Sequence, residues 1–272
     1  MTDIERWVAF SDDPKGGNPA GVVLDATALD DAEMLRIAAD VGYSETAFVT
    51  ADLGHGKKRV RYFSPLAEVP FCGHATVATA VALGPGEHVF VTNAGEVPVS
   101  VSDGVATLTS VATSVAPLEA GDVEALLAAL GWSIDELDTL LPPKLAYAGA
   151  YHPVVAAATR RRLAELDYDV PTLKALMESR GWTTVQLIHQ AAPGSFDVRN
   201  PFPVGGVYED PATGAAAAAL GGYLRDRGLA HDGDTIALRQ GDDMGRPSRL
   251  TVELHAGEPG VRVRGTAVPM TA

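Results

Sequence analysis

Apolar and polar residues alternate over most of the chain in a pattern that predicts short strands separated by turns rich in glycine and proline. In the first half, two stretches have helical spacing instead: residues 30–40, and residues 74–83, which end at Gly84. The strands predicted there cover residues 4–10, 20–24, 47–49, 60–63, 89–92, 97–101 and 105–110. The first half is therefore expected to be a strand-rich unit with two helices.

The second half repeats this order of elements at an offset of about 140 residues. Helices are expected over 122–130, 172–181 and 215–224, and strands over 185–189, 195–199, 235–239, 249–254 and 261–264. In each half a glycine, Gly73 or Gly214, opens a helix of small residues. One domain-sized unit therefore appears twice, because a solenoid would repeat every 20–50 residues or so.

The two glycine-led helices have no charged face of the kind that a helix on the protein surface needs. Alanine lets neighbouring backbones approach closely, so we expect each helix to be enclosed tightly by a sheet. The alternative, two alanine-rich helices on the surface, agrees less well with the residues.

Composition narrows the class of protein. The chain has 272 residues, of which 46% are apolar, enough for two domains of roughly 130 residues with a core each. A formal net charge of −14 argues against nucleic acid or a membrane as partner. The single cysteine, an acidic N-terminus without an apolar core, and the lack of an apolar run of about 20 residues lead us to expect a cytoplasmic protein.

The starts of the two glycine-led helices are the first candidate site. Backbone N–H groups there lack partners within the helix and carry partial positive charge, so two such helix starts facing one cleft between the halves would bind an anion. The simplest guest is a substrate carboxylate. His74 would resist protonation at this place, and it is either a substrate-binding imidazole or a capping or core residue.

Three further residues are candidate acids or bases. Glu45 stands among small and apolar residues where a strand begins, a place suited to a general acid/base but also to an ordinary exposed glutamate. Asp210 precedes the second glycine-led helix and either caps a turn or points into the cleft. Cys72 precedes the first, and its counterpart is Thr213, so a symmetric pair of thiols is excluded. No spacing typical of a metal site or of a nucleotide-binding loop occurs.

In combination these segments resemble the PhzF family, the phenazine biosynthesis-like isomerases, which have the diaminopimelate epimerase-like fold. The segments that carry the resemblance run nearly from end to end: residues 17–23, 43–48 and 61–65, Glu68, and residues 72–76, 209–214, 240–241 and 244–248. Each is weak alone, but their combination in this order is highly specific.

The resemblance implies an α+β protein of two pseudo-symmetric domains, each a rolled, mostly antiparallel sheet around a central helix. We expect an N-terminal domain over 1–115, completed by a final strand at 262–272, and a C-terminal domain over 116–261. A homodimer without any cofactor or metal is also implied.

The resemblance places the family's acid/base glutamate at Glu45, its substrate-contacting histidine at His74 and its cleft aspartate at Asp210. The remaining substrate-binding positions fall on Asn18, Gly73, Ala75, Gly214 and Ala215. Many family members have a substrate-contacting serine at this last position. The alanine removes a hydroxyl donor, and it separates this chain in that contact from the enzyme that acts on dihydro-hydroxyanthranilate.

The resulting hypothesis is a cofactor-independent isomerase that shifts a proton within a small carboxylate-bearing metabolite, with Glu45 as its general acid/base. One alternative is an amino-acid racemase or epimerase on the same fold. That reaction normally needs two opposed bases, and Asp210 is the available second one. Another alternative is a protein that binds a small molecule without catalysis.

Overall fold

The computed structural model describes residues 2–270 and has a sheet-rich α+β fold. Its strands are β1 (Glu5–Ala9), β2 (Asn18–Val23), β3 (Thr46–Gly54), β4 (Lys57–Phe63), β5 (Glu68–Val69), β6 (Gly86–Thr92), β7 (Gly95–Ser102), β8 (Val105–Thr109), β9 (Ser114–Pro117), β10 (Lys144–Tyr147), β11 (Tyr151–Ala156), β12 (Gln186–Ala192), β13 (Ser195–Pro201), β14 (Glu209–Asp210), β15 (Thr235–Gln240), β16 (Ser248–Glu253) and β17 (Arg262–Pro269). Its α-helices are α1 (Asp31–Val41), α2 (Gly73–Leu83), α3 (Ala120–Leu130), α4 (Arg160–Ala164), α5 (Val170–Arg180) and α6 (Gly214–Asp226).

The chain divides into two compact units. Within the described residues, the first unit consists of two segments, one that ends at Thr109 and one that begins at Arg264. The second unit is Ser110–Val263. Residues 1, 271 and 272, which belong to the predicted N-terminal domain and its final strand, lie outside the described residues. None of the helices in residues 2–270 is both long and apolar enough to cross a lipid bilayer.

In the first unit, antiparallel hairpins are joined by helical crossovers. Strand β1 pairs antiparallel with β2 and β17, and β2 pairs parallel with β3 after the crossover through α1. Helix α1 starts at a capping box between Asp30 and Glu33 and stops at Gly42, whose φ of 72° suits glycine. Strands β3 and β4 then form a second hairpin, which β6, β7 and β8 extend.

Helix α2 is the central helix of the first unit. Its residues from His74 to Ala80 are all buried, and the helix contacts β1, β2, β3, β7 and β8. The hydroxyl groups of Thr76 and Thr79 donate to the carbonyl oxygens of Cys72 and Ala75, each at 2.7 Å, so these polar groups are satisfied within the helix. The prediction of a tightly enclosed helix of small residues is confirmed here.

The second unit repeats the pairings of the first. Hairpin β10–β11 is followed by a crossover to the parallel strand β12, by hairpin β12–β13 and by the two-residue strand β14. Helix α6 then leads to β15, which lies parallel to β13 and forms a hairpin with β16. Strand β9 beside β10 takes the place that β17 has beside β1. The two pseudo-symmetric α+β units inferred from the sequence are therefore confirmed.

Some elements of the second unit were missed from the sequence. Strands β9, β10 and β11 and helix α4 lie where no element was predicted. Strand β10 has only four residues, and β11 contains Pro153, a residue that usually argues against a strand. Short length and a proline therefore removed the alternating pattern on which the prediction depended.

Each unit holds its two-residue strand with a matching ion pair. In the first, the Arg61 guanidinium makes two hydrogen bonds, both 2.7 Å long, to the Glu68 carboxylate. In the second, Arg199 binds both oxygens of Glu209 in the same way, and this pair is buried. Removing one partner of such a buried pair typically costs about 3–5 kcal/mol. These pairs fix the chain just before the start of each enclosed helix.

The inner faces of the two sheets carry different residues at matching positions. In the first unit, Val22 pairs with Ala47 and Ala47 with Tyr62, whose hydroxyl lies 2.6 Å from Thr76 Oγ1 on α2. The matching pair in the second unit is Val154 with Gln186, and the ladder continues to Asn200. Thus Ala20, Ala47, Tyr62 and Thr76 are matched by His152, Gln186, Asn200 and Ala217, all of them buried. Where one inner face has a bulky side chain, the matching position on the other has a smaller one.

The second arrangement buries a polar chain in the core. His152 Nδ1 lies 2.8 Å from Thr184 Oγ1, which donates to Asn200 Oδ1 at 2.8 Å. Burial lowers the pKa of His152 to about 4, so the ring is neutral in the folded protein at neutral pH.

We predict that His152 makes the folded state sensitive to acid. Below its ordinary pKa of about 6.5 the unfolded chain takes up a proton there, whereas the folded chain does so only near pH 4. The free energy of unfolding is therefore unaffected by protonation of His152 above pH 6.5. It falls as the pH drops towards 4, by roughly 3 kcal/mol at most. Urea unfolding from pH 7.5 to 4 should show a flatter pH dependence in His152→Gln than in the unchanged protein.

The matched control is His231→Gln, which removes an exposed histidine of the same unit. Its pH dependence should match that of the unchanged protein. Equal slopes for His152→Gln and for the control would contradict the assignment, whatever the absolute stability of either variant.

Candidate active site

Helix α2 begins without a side-chain cap. Cys72 is its N-cap, with extended backbone angles, and the Cys72 side chain makes no capping hydrogen bond. The first turn contains no acidic residue. The backbone N–H groups of Gly73, His74 and Ala75 therefore point out of the helix as donors, as the sequence predicted for the start of this glycine-led helix.

Glu45 is held beside this helix start by strand β3, which begins at the next residue. Its carbonyl oxygen accepts a hydrogen bond of 3.3 Å from the Gly21 N–H on β2. A Cβ at position 21 would lie only 2.5 Å from Thr46 Oγ1, so glycine is needed for the two strands to approach this closely. The glutamate backbone is thus fixed by a tight strand contact.

Three side chains meet at the start of α2. Glu45 Oε2 lies 3.4 Å from Cys72 Sγ and 3.5 Å from His74 Nε2, and Cys72 Sγ lies 3.3 Å from His74 Nδ1. The carboxylate remains 16% exposed, while the thiol and the imidazole are 7% and 6% exposed. The acid/base candidate Glu45 therefore reaches solvent, and its two neighbours are enclosed.

Asn18 and Ser44 hold the imidazole ring of His74 from opposite edges. The Asn18 amide nitrogen lies 3.2 Å from Nδ1, and the Ser44 hydroxyl lies 3.4 Å from Nε2. An amide can present either an N–H or an oxygen, and a hydroxyl can donate or accept. The pair can therefore support either neutral tautomer of the ring.

The charge of His74 is set mainly by its enclosure. Burial lowers the pKa of His74 below its usual range, and the negative charge of Glu45 and a hydrogen bond to the Pro19 carbonyl oppose that shift only in part. The ring is neutral at neutral pH. The sequence predicted a neutral ring from the helix start, but the larger physical cause is loss of hydration.

The same three side chains form a candidate metal site. One ligand atom from each of Glu45, Cys72 and His74 lies within 4.8 Å of the others. Sequence spacing did not indicate this group, because Glu45 precedes Cys72 by 27 residues and no short motif links them. Only the hairpin geometry and the helix start bring them together.

The remaining predicted residues belong to the second unit and are grouped there at the start of α6. Thr213 Oγ1 donates to Asp210 Oδ2 at 2.5 Å, and the Gln240 side chain donates to the Asp210 carbonyl oxygen at 2.7 Å. Gly214 opens the helix and Ala215 follows it, partly exposed. Gln240, whose amide oxygen also accepts from the Thr213 N–H, was not among the predicted site residues.

The strand register shows that the acid and base side chains are not duplicated. Glu45 is matched in the second unit by Thr184, two residues before Gln186, and Cys72 is matched by Thr213. His74 corresponds to Ala215. The second unit supplies hydroxyl and methyl groups where the first has a carboxylic acid, a thiol and an imidazole. Its own acidic group, Asp210, stands where the first unit has Val69.

Two units with the same order of hairpins, crossovers and enclosed helix define the diaminopimelate epimerase-like class of α+β proteins, a fold shared with the solved structures of a probable proline racemase and a hydroxyproline epimerase. Within this class, residues 8–272 match the family model described as "Phenazine biosynthesis-like protein" (PhzC-PhzF), and the chain belongs to that family.

Curated relatives and solved structures agree with this assignment. The chain is 34% identical to an uncharacterized isomerase, YddE, of Salmonella typhimurium over 96% of this chain and 93% of the relative. It is 32% identical to the trans-2,3-dihydro-3-hydroxyanthranilate isomerase of Pseudomonas chlororaphis over 89% and 86%. The crystal structure of a PhzF-family protein from Bacillus anthracis is 25% identical with a TM-score of 0.88, covering 99% and 97%. The chain is accordingly an enzyme of the isomerase class.

We predict that His74 stays neutral below the usual pH at which a histidine takes up a proton. In an NMR titration its ring resonances should change at a lower pH than those of a solvated histidine, because burial disfavours the charged ring. In Glu45→Gln the midpoint should fall further, since the carboxylate charge that favours protonation is gone. An unchanged or higher midpoint in that variant would show that the two side chains are not electrostatically coupled.

Proposed function

We propose that this enzyme isomerises a small carboxylate-bearing metabolite by moving a proton from one carbon to another, with Glu45 as the general acid/base. Glu45 takes a proton from a carbon of the substrate, the electron pair shifts along the conjugated system, and the proton returns at a different carbon. Proton and electron counts are unchanged. The observation that carries the proposal is the contact of the Glu45 carboxylate with His74 and Cys72 at the start of α2.

The surroundings of Glu45 suit a group that both takes and gives a proton. Its carboxylate is mostly enclosed but still reaches solvent, so a substrate can approach it. His74 is neutral, so it holds the substrate or the carboxylic acid by hydrogen bonding and does not lock the carboxylate in an ion pair. The Asn18 and Ser44 contacts keep that imidazole in place during the proton transfer.

The start of α2 supports a carboxylate as the anchoring group of the substrate. Backbone N–H groups of Gly73 and Ala75 supply donors and partial positive charge without a titratable cation. The named substrate of the Pseudomonas chlororaphis relative, a hydroxyanthranilate, bears a carboxylate. Gly214 and Ala215 at the start of α6 are proposed as a second group of donors, and Ala215 supplies its backbone N–H only.

Asp210 is proposed as the further acid of the reaction. Its carboxylate already accepts from Thr213, and its backbone is held by Gln240, so its position is fixed before any substrate binds. The racemase alternative would use Asp210 as a second base opposed to Glu45 and return the proton to the same carbon from the other face. The register argues against a symmetric pair of bases, since Thr184 and Thr213 replace the first unit's acid and thiol.

The homodimer and the cytoplasmic location expected from the sequence stay predictions. Sedimentation of the purified protein tests the first, and localisation of the tagged protein in its own cell tests the second. Neither outcome alters the chemistry proposed for Glu45.

We predict that Glu45→Gln loses proton transfer while ligand binding survives. The amide keeps the shape of the side chain but cannot act as a base, so the loss should be about 10²–10⁴-fold. The measurement is deuterium uptake from heavy water into a panel of small carboxylates with an acidic C–H bond, followed by NMR. The same spectra locate the label, which separates a shift along the carbon skeleton from inversion at one carbon.

Two variants serve as controls for this measurement. Glu87→Gln makes the same substitution at an exposed glutamate and should exchange at the full rate. Cys72→Ala should lose far less than Glu45→Gln, because its counterpart Thr213 leaves the thiol without an opposed partner. An inactive Cys72→Ala beside an active Glu45→Gln would overturn the mechanism. Tight binding without exchange by the unchanged protein would favour the non-catalytic alternative.

We predict that a small anion binds at the start of α2. Crystals soaked in sulfate or a small carboxylate should show density within hydrogen-bonding distance of the N–H groups of residues 73–75, and the N–H groups of residues 214–216 are expected to contact an anion as well. Density confined to the basic segment Lys57–Arg59 would count against both statements.

A further inference from the structure

The three side chains at the start of α2 form a triangle of unlike ligand atoms. Its corners are Glu45 Oε2, Cys72 Sγ and His74 Nε2. The edges are 3.4 Å from oxygen to sulfur, 3.5 Å from oxygen to nitrogen and 3.8 Å from sulfur to nitrogen. All three residues belong to the first unit and are held by the strand β3 and by the enclosed helix.

This triangle agrees with one face of a tetrahedral zinc site. Zinc binds thiolate sulfur at about 2.3 Å, imidazole nitrogen at about 2.0–2.1 Å and carboxylate oxygen at about 2.0–2.2 Å. With tetrahedral angles, these bond lengths give ligand-to-ligand distances of about 3.3–3.6 Å. The observed edges come within a few tenths of an ångström of that range, so small side-chain rotations suffice to close the site.

We propose that the acid/base site of this enzyme is also a binding site for Zn²⁺ and similar thiol-seeking divalent cations, which it binds through Glu45, Cys72 and His74 with a fourth position open. Binding deprotonates the thiol and releases its proton to solvent. His74 then carries its ring proton on Nδ1, where the Asn18 amide can turn to present its oxygen. A histidine that ligates zinc usually donates its other ring N–H to an oxygen acceptor such as a carbonyl.

The ligand set determines which cations bind. Mg²⁺ and Ca²⁺ prefer six or more oxygen ligands, and this site offers one carboxylate. Thiolate and imidazole favour Zn²⁺, Co²⁺ and related ions. The site should therefore discriminate strongly against the hard cations.

A bound cation would occupy the carboxylate that the proposed function assigns to proton transfer, so Zn²⁺ should inhibit the enzyme. This inhibition rests on the proposed function of Glu45, whereas the binding itself does not. The metal is an inhibitor here and not a cofactor, so removing it with a chelator should restore activity and never abolish it.

Co²⁺ tests the binding without any substrate. The metal-stripped protein titrated with Co²⁺ should develop a thiolate-to-cobalt charge-transfer band and the visible absorption of tetrahedral cobalt, and one equivalent of Zn²⁺ should remove both. Cys72→Ala should lose the charge-transfer band and weaken Zn²⁺ binding by at least about 100-fold, on the order expected for loss of a ligand and above the 10–100-fold effect of a supporting residue. Mg²⁺ at a large excess should not compete.

His255→Ala is the matched control. His255 Nε2 lies 3.3 Å from Glu253 Oε2, a histidine–carboxylate pair like that of His74 and Glu45 but without the thiol contact. Removing it should leave the cobalt spectrum and the Zn²⁺ affinity unchanged. A zinc-soaked crystal should show anomalous density bonded to Sγ, Nε2 and Oε2 of the three proposed ligands.

The outcomes separate this proposal from the proposed function. Absence of the charge-transfer band, or equal Zn²⁺ affinity in Cys72→Ala, overturns the metal site even if Glu45 proves to be the base. A cobalt spectrum that depends on Cys72, together with full exchange activity in Glu45→Gln, supports the metal site and overturns the proposed function. Zn²⁺ inhibition that is equal in Cys72→Ala, each variant being normalised to its own rate without metal, assigns the inhibition to another site.

Discussion

The enclosure of helix α2 on all sides is the constraint on which the rest of the structure depends. A helix that contacts five strands has no face left for large or charged residues, so the segment from His74 to Ala80 is built from small ones. Its N-terminus is then held inside the protein with the capping position taken by Cys72, whose side chain does not cap. The N–H donors and the partial positive charge of the helix start are therefore not used by a side-chain cap. The residues around them form the candidate active site.

The sequence predicted the enclosed helices, most of the strands and the duplication, because each depends on local patterns of small and alternating residues. The short strands β10 and β11 were missed, since four residues and Pro153 carry too little pattern. Glu45 and His74 were candidates from their local sequence, and the family resemblance assigned their roles. Their contact could not be read from residues that lie far apart in the chain. Cys72 contacts both of these residues, and Gln240 donates a hydrogen bond to the Asp210 carbonyl oxygen. Both contacts follow from strand register and were visible only in three dimensions.

The two units share their backbone arrangement but differ in their titratable side chains. Both units keep the arginine–glutamate pair at the two-residue strand, Arg61 with Glu68 and Arg199 with Glu209, because each pair fixes the entry to an enclosed helix. The titratable side chains follow no such rule. The first unit has a carboxylic acid, a thiol and an imidazole at its helix start, and the second has hydroxyl groups and one aspartate on a different strand position. The repeated backbone therefore carries different titratable side chains in its two copies.

The exchange of bulk between the inner faces has an evolutionary consequence. Tyr62 in the first unit and Asn200 in the second occupy matching places, but the space of a tyrosine ring is available only where alanines stand at the neighbouring positions. A change of Asn200 to tyrosine would meet the His152 and Gln186 side chains, while their removal alone would leave cavities and would leave Asn200 as the remaining partner of the Thr184 hydroxyl. Substitutions in either core are therefore epistatic, because one residue can change only if its neighbours on the same inner face change with it. Recombination that exchanges a single strand between the halves should therefore fail where exchange of a whole half succeeds.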